Sequence, residues 1–387
     1  MLKDRRLLGV AAAGFLTFVN LYSTQALLPT LAASFGTSLA QTGLTVTASL
    51  VAVAGLAPFV GGISDAVGRR RLILSAATLL VLPTLAAAFA PTLPVLIACR
   101  FVQGLLLPFI FAVTVAYVAD EFPGADGVRA NGIYAIGTIV GGFSGRFVAG
   151  WTAHYLDWHG AFLVLAGITA AGAALVGAFL PPEQRFTPVR GWRSSLRGFA
   201  DQFGNGQVMA TCGVGFAVLF SIVATFTYAN FLLAGAPYRL GPAELGSVFV
   251  VYLLGAAATP VASRLTVRLG RRATMLLGGV VVAAGLGLTL VPVLPVVVAG
   301  MALVAIGTFT EQALSIGHVA TAARQARSTA VGIYVTCYYV GGSLGGIAPA
   351  WVWTHGGWPG CVALVLLVQA AALLLTSLVW PRRTGLP

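Results

Sequence analysis

Apolar residues run along the chain in twelve stretches, at about 7–30, 39–62, 72–90, 93–118, 128–152, 159–180, 208–234, 243–262, 273–291, 294–319, 327–352 and 357–380. Each is close to the ~20 residues that a helix needs to cross a hydrocarbon core of ~30 Å. The connections between them are short and carry charge, Gly or Pro. The longest, 181–207, holds Pro181-Pro182 and four arginines. Runs of this length and spacing predict an all-α membrane protein with twelve transmembrane helices. They predict two six-helix bundles, 1–180 and 208–387, joined by a linker over 181–207. The first run follows Lys3-Asp4-Arg5-Arg6. It is too long for the apolar core of a signal peptide and no small-residue cleavage site closes it, so it is read as the first crossing.

Composition and charge sharpen this picture. Of 387 residues, 58% are hydrophobic and only 8% are charged, against roughly 25% charged in a soluble domain. That excludes a disordered chain, a disulfide scaffold and an ordinary cytosolic enzyme. The net charge of +12 does not indicate nucleic-acid binding, because the cations sit in small groups between apolar runs. Counting crossings alternately, one side collects Lys3, Arg5, Arg6, Arg69–Arg71, Arg129, Arg185, Arg190, Arg193, Arg197, Arg264, Arg268, Arg271, Arg272, Arg324, Arg327, Arg382 and Arg383, and the other only Arg239. Cationic connections face the cytoplasm, which predicts a multi-pass protein with both termini cytoplasmic. The four cysteines, Cys99, Cys212, Cys337 and Cys361, lie within apolar runs without metal-ligand spacing and read as small buried hydrophobes.

The two halves are related in sequence. Between 130–160 and 330–360, 11 of 31 positions are identical, among them Gly132, Tyr134, Gly141, Gly142, Gly145 and Trp151. Leu93-Pro94-Val95 recurs as Leu294-Pro295-Val296, and Gly68-Arg69-Arg70 as Gly270-Arg271-Arg272. Offsets of 200 to 202 along so much chain indicate duplication. Two parallel six-helix repeats are an architecture of secondary transporters, with the substrate site between the halves near mid-membrane.

Polar residues inside the spans are candidates for function, since each is costly there unless it is used or paired. Arg100 in span four and Arg146 in span five lie within apolar runs. Facing a central cavity, they would favour anions. Glu311 in span ten is the acid deepest in a span, and a carboxyl group able to switch between charged and neutral suits proton coupling. The alternative is a Glu held by Gln312, His318 or a hydroxyl. Asn20, Tyr22, Gln25 and Gln103 place polar edges in apolar helices; they line a cavity where span one bends toward Pro29, or they join helices. Tyr134 and its repeat Tyr334 are grouped with the cavity. The histidines His154, His159, His318 and His355 read as polar residues near span ends. Gly137, Gly141, Gly142 and Gly145 in span five, with Gly341 and Gly345 in span eleven, predict close helix packing.

Three motifs carry a family resemblance. Gly61-Gly62-Ile63-Ser64-Asp65-Ala66-Val67-Gly68-Arg69-Arg70-Arg71 between spans two and three resembles the cytoplasmic loop of the major facilitator superfamily. Arg100-Phe101-Val102-Gln103-Gly104 resembles its Arg-x-x-Gln-Gly motif. Gly137-x-x-x-Gly141-Gly142-x-x-Gly145 resembles its glycine-rich antiporter motif, with Gly142 where the family usually has Pro. More closely, Leu21-Tyr22-x-x-Gln25-x-x-Leu28-Pro29, Ser64-Asp65-Ala66-x-Gly68-Arg69 and Gly142-x-Ser144-Gly145-Arg146 are similar to the bacterial acriflavine-sensitivity, drug-efflux-like group.

The resemblance implies the major facilitator fold and transport without chemistry on the substrate. It implies that Asp65 latches one end state against the N-terminus of span eleven. Arg69 and Arg70 are expected to pair with Asp120 or Glu121. It also implies a role for Arg100 in proton transfer or substrate contact; the alternative is a structural Arg that bonds carbonyls of neighbouring spans. The Asp65 position is Val267 in the second half, so gating is expected to be asymmetric. The expected function is a secondary active transporter in a bacterial inner membrane. It would export small amphipathic compounds by proton antiport through alternating access. No cofactor is expected beyond the proton gradient, and the partners are lipid, a small-molecule substrate and protons, in a monomeric chain that binds no nucleic acid. The alternatives are a proton-coupled carrier of small organic anions or sugars and, further off, a membrane sensor or a lipid-modifying enzyme.

Overall fold

The computed structural model describes residues 2–122, 124–184, 202–323 and 327–381, and all its regular elements are helices. The first half holds α1 (Leu2–Leu21), a 3₁₀ turn (Ser23–Leu27), α2 (Leu28–Phe35), α3 (Leu39–Val67), α4 (Arg69–Leu79), α5 (Val81–Ala87), α6 (Leu93–Glu121), α7 (Ala125–Tyr155) and α8 (Trp158–Phe179). The second half holds α9 (Gly206–Ala234), α10 (Pro242–Val248), α11 (Val251–Leu269), α12 (Arg271–Leu288), α13 (Leu294–Ala322) and α14 (Arg327–Val379). Most of the expected linker, residues 185–201, lies outside the described residues, as do Arg324, Arg382 and Arg383.

Helix lengths set the span count. Straight, the 53 residues of α14 would reach about 80 Å at 1.5 Å per residue, more than twice a bilayer core. The helix is broken at Gly357, where φ is 56° and ψ −150°, so it forms two arms that each cross once. Eleven segments of the described chain are long and apolar enough to cross, the last of them containing both arms; that makes twelve crossings. The helices run past the apolar stretches into their polar flanks, so Asp65 falls in the last turn of α3 rather than in a loop. Span one is not continuous. It breaks between Leu21 and Leu28, and Pro29 sits in the first turn of α2, where a missing N–H costs nothing.

Local signals explain the ends. Ser38 and Gln41 form a reciprocal capping box at the start of α3, with Ser38 N donating to Gln41 Oε1 at 3.0 Å. Asp157 caps α8 through Gly160 N at 2.8 Å, and Asn205 caps α9 through Gln207 N at 3.1 Å. The α3–α4 and α11–α12 corners are alike: Gly68 has φ 104° and Gly270 φ 86°. Both conformations favour glycine, so the duplicated Gly-Arg-Arg is a duplicated turn.

The chain divides into two compact units, one of Met1–Trp192 with Leu240–Phe249 and one of Arg193–Arg239 with Val250–Pro387. The short α10 therefore belongs to the first unit, which differs from the halves drawn at 180 and 208. It packs on α7, where Trp151 Nε1 donates to Ser247 Oγ at 3.0 Å and the backbones of Gly150 and Gly246 come together.

Inside each unit a glycine face welds two helices. A Cβ on Gly137, Gly141 or Gly145 would drive into the backbone of Ala11, Phe15 or Val19 on α1. In the second unit a Cβ on Gly341 or Gly345 would meet the backbone of Phe216 or Phe220 on α9. Without a hydrophobic drive between helices in lipid, this close approach is what holds them. Gly142 is not on this face, contrary to its grouping above. A Cβ there meets Arg146 Nη1 at 3.6 Å and Phe18 Cβ at 4.0 Å, which are ordinary contacts. Gly141→Leu is expected to destabilise the protein by about 1–3 kcal/mol or more, and Gly142→Ala to leave it nearly unchanged. Thermal melting of the purified variants in detergent checks the pair, and equal melting would show that α1 and α7 do not depend on backbone contact.

Candidate functional site

Arg100 lies on α6 with no exposed surface. The break in span one explains what it does there. A helix end leaves carbonyls without intrahelical partners and concentrates partial negative charge. At the end of α1 those carbonyls are turned toward α6. Arg100 Nη1 donates to Asn20 O at 2.8 Å, Nη2 to Leu21 O, and Nε to Thr45 O of α3 at 3.2 Å. Its Nη1 also reaches Gln103 Oε1. Gly104 lets α6 approach so closely that a Cβ would meet Ser49 O, and Ser49 Oγ donates to Arg100 O at 3.0 Å. The Arg-x-x-Gln-Gly spacing thus puts fork, amide and gap on one face.

The lattice continues through neutral groups. Gln103 Nε2 donates to Thr84 Oγ1 at 2.7 Å, and Thr84 Oγ1 to Asn20 Oδ1 at 3.1 Å. Asn20 Nδ2 donates to Thr169 Oγ1 at 3.0 Å. The network joins α1, α3, α5, α6 and α8. Asn20 and Gln103 are enclosed within it (exposures of 1% and 0%), so of the two readings they join helices rather than line a cavity. The chain break needed partners for its carbonyls; Arg100 supplies them, and Gln103 and Asn20 brace the lattice around it. Thr84 and Thr169 were missed because a threonine in an apolar helix is unremarkable until a second polar group faces it.

Arg146 is also buried, at 1% exposed. Its Nε donates to Gln25 Oε1 at 2.7 Å and its Nη1 to Gly142 O. The guanidinium carbon stands 4.6 Å from the Tyr22 ring centroid and 4.7 Å from that of Phe249. Two aromatic faces and an amide thus hold a cation in low dielectric. Tyr22 and Gln25, which share no helical stripe in sequence, are brought together by the 3₁₀ turn. Phe249 was missed, since nothing in the sequence links it to span five.

At the arginine-rich end of this unit, Arg69 Nη2 lies 2.8 Å from Asp120 Oδ2 and 3.4 Å from Asp65 Oδ1. The side chains of Asp65 and Asp120 are 46% and 34% exposed. The Arg69 side chain is 15% exposed, so water screens the carboxylates of the triad more than its cation. Arg70 is not a partner of Asp120 or Glu121. Its Nε donates to Leu180 O at 2.7 Å and its backbone N–H to Glu183 Oε1 at 2.7 Å. It caps the carbonyl end of α8, where a cation is favoured. The side chain of Arg327 lies outside the described residues.

In the second unit Glu311 has no exposed surface. Its Oε2 accepts from Gln369 Nε2 of α14 at 3.1 Å, while Oε1 has no partner among the described residues. The partner expected among Gln312, His318 or a hydroxyl is instead an amide 58 positions away, readable in sequence only as a lone polar residue in the last span. His318 lies one turn from the end of α13, near a span end as expected, but it is a buried helix residue, 3% exposed, and not a loop residue. Tyr134 donates to Phe111 O at 3.2 Å. Tyr334 is buried against Gly215 and stacks on Tyr338 at 6.0 Å. Both serve helix contacts.

The comparisons agree with this architecture. The profile of the Major Facilitator Superfamily matches residues 10–236 and 215–386. The chain is 30% identical to the uncharacterized MFS-type transporter YybF of Bacillus subtilis (strain 168), over 95% of this chain and 91% of that one. It is 29% identical to the inner membrane transport protein YnfM of Escherichia coli (strain K12), over 95% and 88%. Among solved structures, a bacterial homolog of the human lysosomal transporter Spinster superposes with TM-score 0.75 at 16% identity, covering 96% of each chain. The nucleoside transporter NupG superposes with TM-score 0.76 at 16% identity, covering 96% of this chain and 98% of that one. These two show the fold. The chain is a multi-pass membrane transporter and belongs to the major facilitator superfamily.

Proposed function

We propose that this transporter is a proton antiporter that exports small amphipathic compounds, with both termini in the cytoplasm of a bacterial cell, and that it belongs with the drug-efflux-like facilitators. The observation that carries the reading is Glu311. It is a fully buried carboxyl group whose hydrogen-bond partner among the described residues is a neutral amide. It can therefore change charge without breaking an ion pair, and a change of charge in low dielectric is large enough to bias a conformational equilibrium. Arg100 and the Asn20 lattice then act as fixed structure. The Asp65–Arg69–Asp120 triad, with both carboxylates partly in water, is the part that rearranges during alternating access. The name of the relative YnfM supports an inner-membrane location.

Purified protein in liposomes tests the reading, with candidate solutes first selected by ligand-induced thermal stabilisation. An imposed pH gradient is expected to drive efflux, and flux that ignores the gradient overturns antiport. Asp65→Asn is expected to slow flux at unchanged protein level, and equal flux would remove the triad from the cycle. A second reading, a carrier of organic anions, rests on the cation of Arg146. It falls if neutral and cationic dyes move equally well before and after Arg146→Ala.

A further inference from the structure

The face of α13 that carries Glu311 also carries Ser315 and His318, at helical spacings of four and seven. The facing side of the second arm of α14 carries Gln369, Thr376 and Trp380, at spacings of seven and eleven. The two faces touch at both ends. Gln369 meets Glu311 at 3.1 Å, and the Trp380 ring lies 4.1 Å from that of His318. Along this seam five buried polar atoms have no partner among the described residues: Glu311 Oε1, Gln369 Oε1, Thr376 Oγ1, His318 Nε2 and Trp380 Nε1. The residues that carry them are at most 3% exposed. Native structures leave few such groups unsatisfied, and five in one seam need a shared explanation.

The arginine-rich end of the seam meets water. Arg271 of α12, partly exposed, donates to Thr321 Oγ1 at 2.9 Å and stands 3.2 Å from His318 Nδ1. An arginine can only donate, so His318 Nδ1 is the acceptor and the ring hydrogen sits on Nε2. The unsatisfied His318 atom is therefore a donor, like Trp380 Nε1. Those of Gln369 and ionised Glu311 are acceptors, and the Thr376 hydroxyl is both.

The duplicated half holds the same frame. Arg271–Thr321 corresponds to Arg69–Asp120, an ion pair at 2.8 Å in which Arg69 Nε has no partner among the described residues. His318 corresponds to Tyr117, whose hydroxyl donates to Pro181 O at 2.9 Å. Glu311, Thr376 and Trp380 correspond to Ile110, Val176 and Leu180. Gln369 corresponds to Thr169, whose hydroxyl is held by Asn20, so none of the five unpartnered atoms of this seam has an unpartnered counterpart among these residues.

The geometry points to a proton route: a file of water between α13 and the second arm of α14, entered beside Arg271 and His318 and ending at Glu311. This rests on the reading of Glu311 as the proton carrier and extends it to the path of supply. From His318 to Glu311 the rise is about 10 Å, enough for about three or four waters at hydrogen-bond spacing. A hydronium ion at the entrance passes its proton along the file. The last water donates to Glu311 Oε1, the carboxylate becomes the neutral acid, and release reverses the steps. His318, Thr376 and Gln369 are positioning residues that hold the waters and need not titrate. Among the described residues, the charged or titratable groups facing the file are Glu311 and His318 of α13, Arg271 of α12 and Tyr334 of the first arm of α14, which meets Ser315.

The test is a pH-jump infrared measurement on purified full-length protein, reading the carboxylic-acid carbonyl band that Glu311→Gln removes. The expected result is a band that grows as pH falls in the wild type. Its exchange should be at least about tenfold slower in Thr376→Val and in His318→Leu, and restored in Thr376→Ser. Thermal melting shows that the variants are folded, and Thr376→Val changes shape so little that it answers even if His318→Leu does not fold. Unchanged exchange in Thr376→Val overturns the route and leaves Glu311 as the carrier. If Glu311→Gln removes no titrating band, the carrier reading falls and the route with it.

Discussion

Arg100→Lys is expected to abolish transport and to lower thermal stability, although the charge is conserved. The guanidinium fork serves three backbone carbonyls and one amide oxygen on three helices at once. An ammonium is a compact point donor that cannot span the same acceptors. With at least two charge-assisted hydrogen bonds lost at about 1.5–3 kcal/mol each, the cost is about 3–6 kcal/mol, a large part of a typical stability of about 5–15 kcal/mol. The freed carbonyls are those at the end of α1, so the bend of span one loosens first. Melting in detergent and flux in liposomes, compared at equal protein level, measure the effect. A lysine variant that melts and transports like wild type would mean that only the charge matters.

Glu311→Gln is expected to do the reverse: keep the fold and remove coupling. Glutamine has the shape of the acid and can still meet Gln369, so the interior stays packed. The protein should melt at the same temperature or higher, because a buried group that can carry charge has been replaced by a neutral one. Efflux driven by a pH gradient should fall to background, while exchange of solute for solute continues. Measuring both modes on one preparation separates coupling from substrate binding. A variant that still responds to the gradient would move the proton to another group. Loss of both modes would place Glu311 in the substrate path.

Much of the architecture was legible in residue order. Twelve apolar runs, the one-sided arginines and the 200-residue echo lead to a duplicated membrane bundle, because backbone in lipid must be helical. The Gly137–Gly141–Gly145 spacing announced a packing face. Polar residues were legible as individuals but not as groups. Arg100 and Glu311 stood out because charge is rare in a span. Asn20, Thr84, Thr169 and Gln103 became a lattice only when five helices converged. Arg70 shows the limit well: beside Arg69 in sequence, it points to a different helix, one capping α8 and the other pairing with Asp120.

The chain order thus decided which segments cross, how often, and which side carries the arginines, since these follow from hydrophobicity and helix length summed over ~20 residues. Tertiary structure decided what each buried polar group touches. Partners at separations such as 58 positions for Glu311 and Gln369, or 121 for Gln25 and Arg146, depend on helix rotation and close approach. A hydrogen bond forms or fails within a few tenths of an ångström, far finer than any periodicity in sequence can specify.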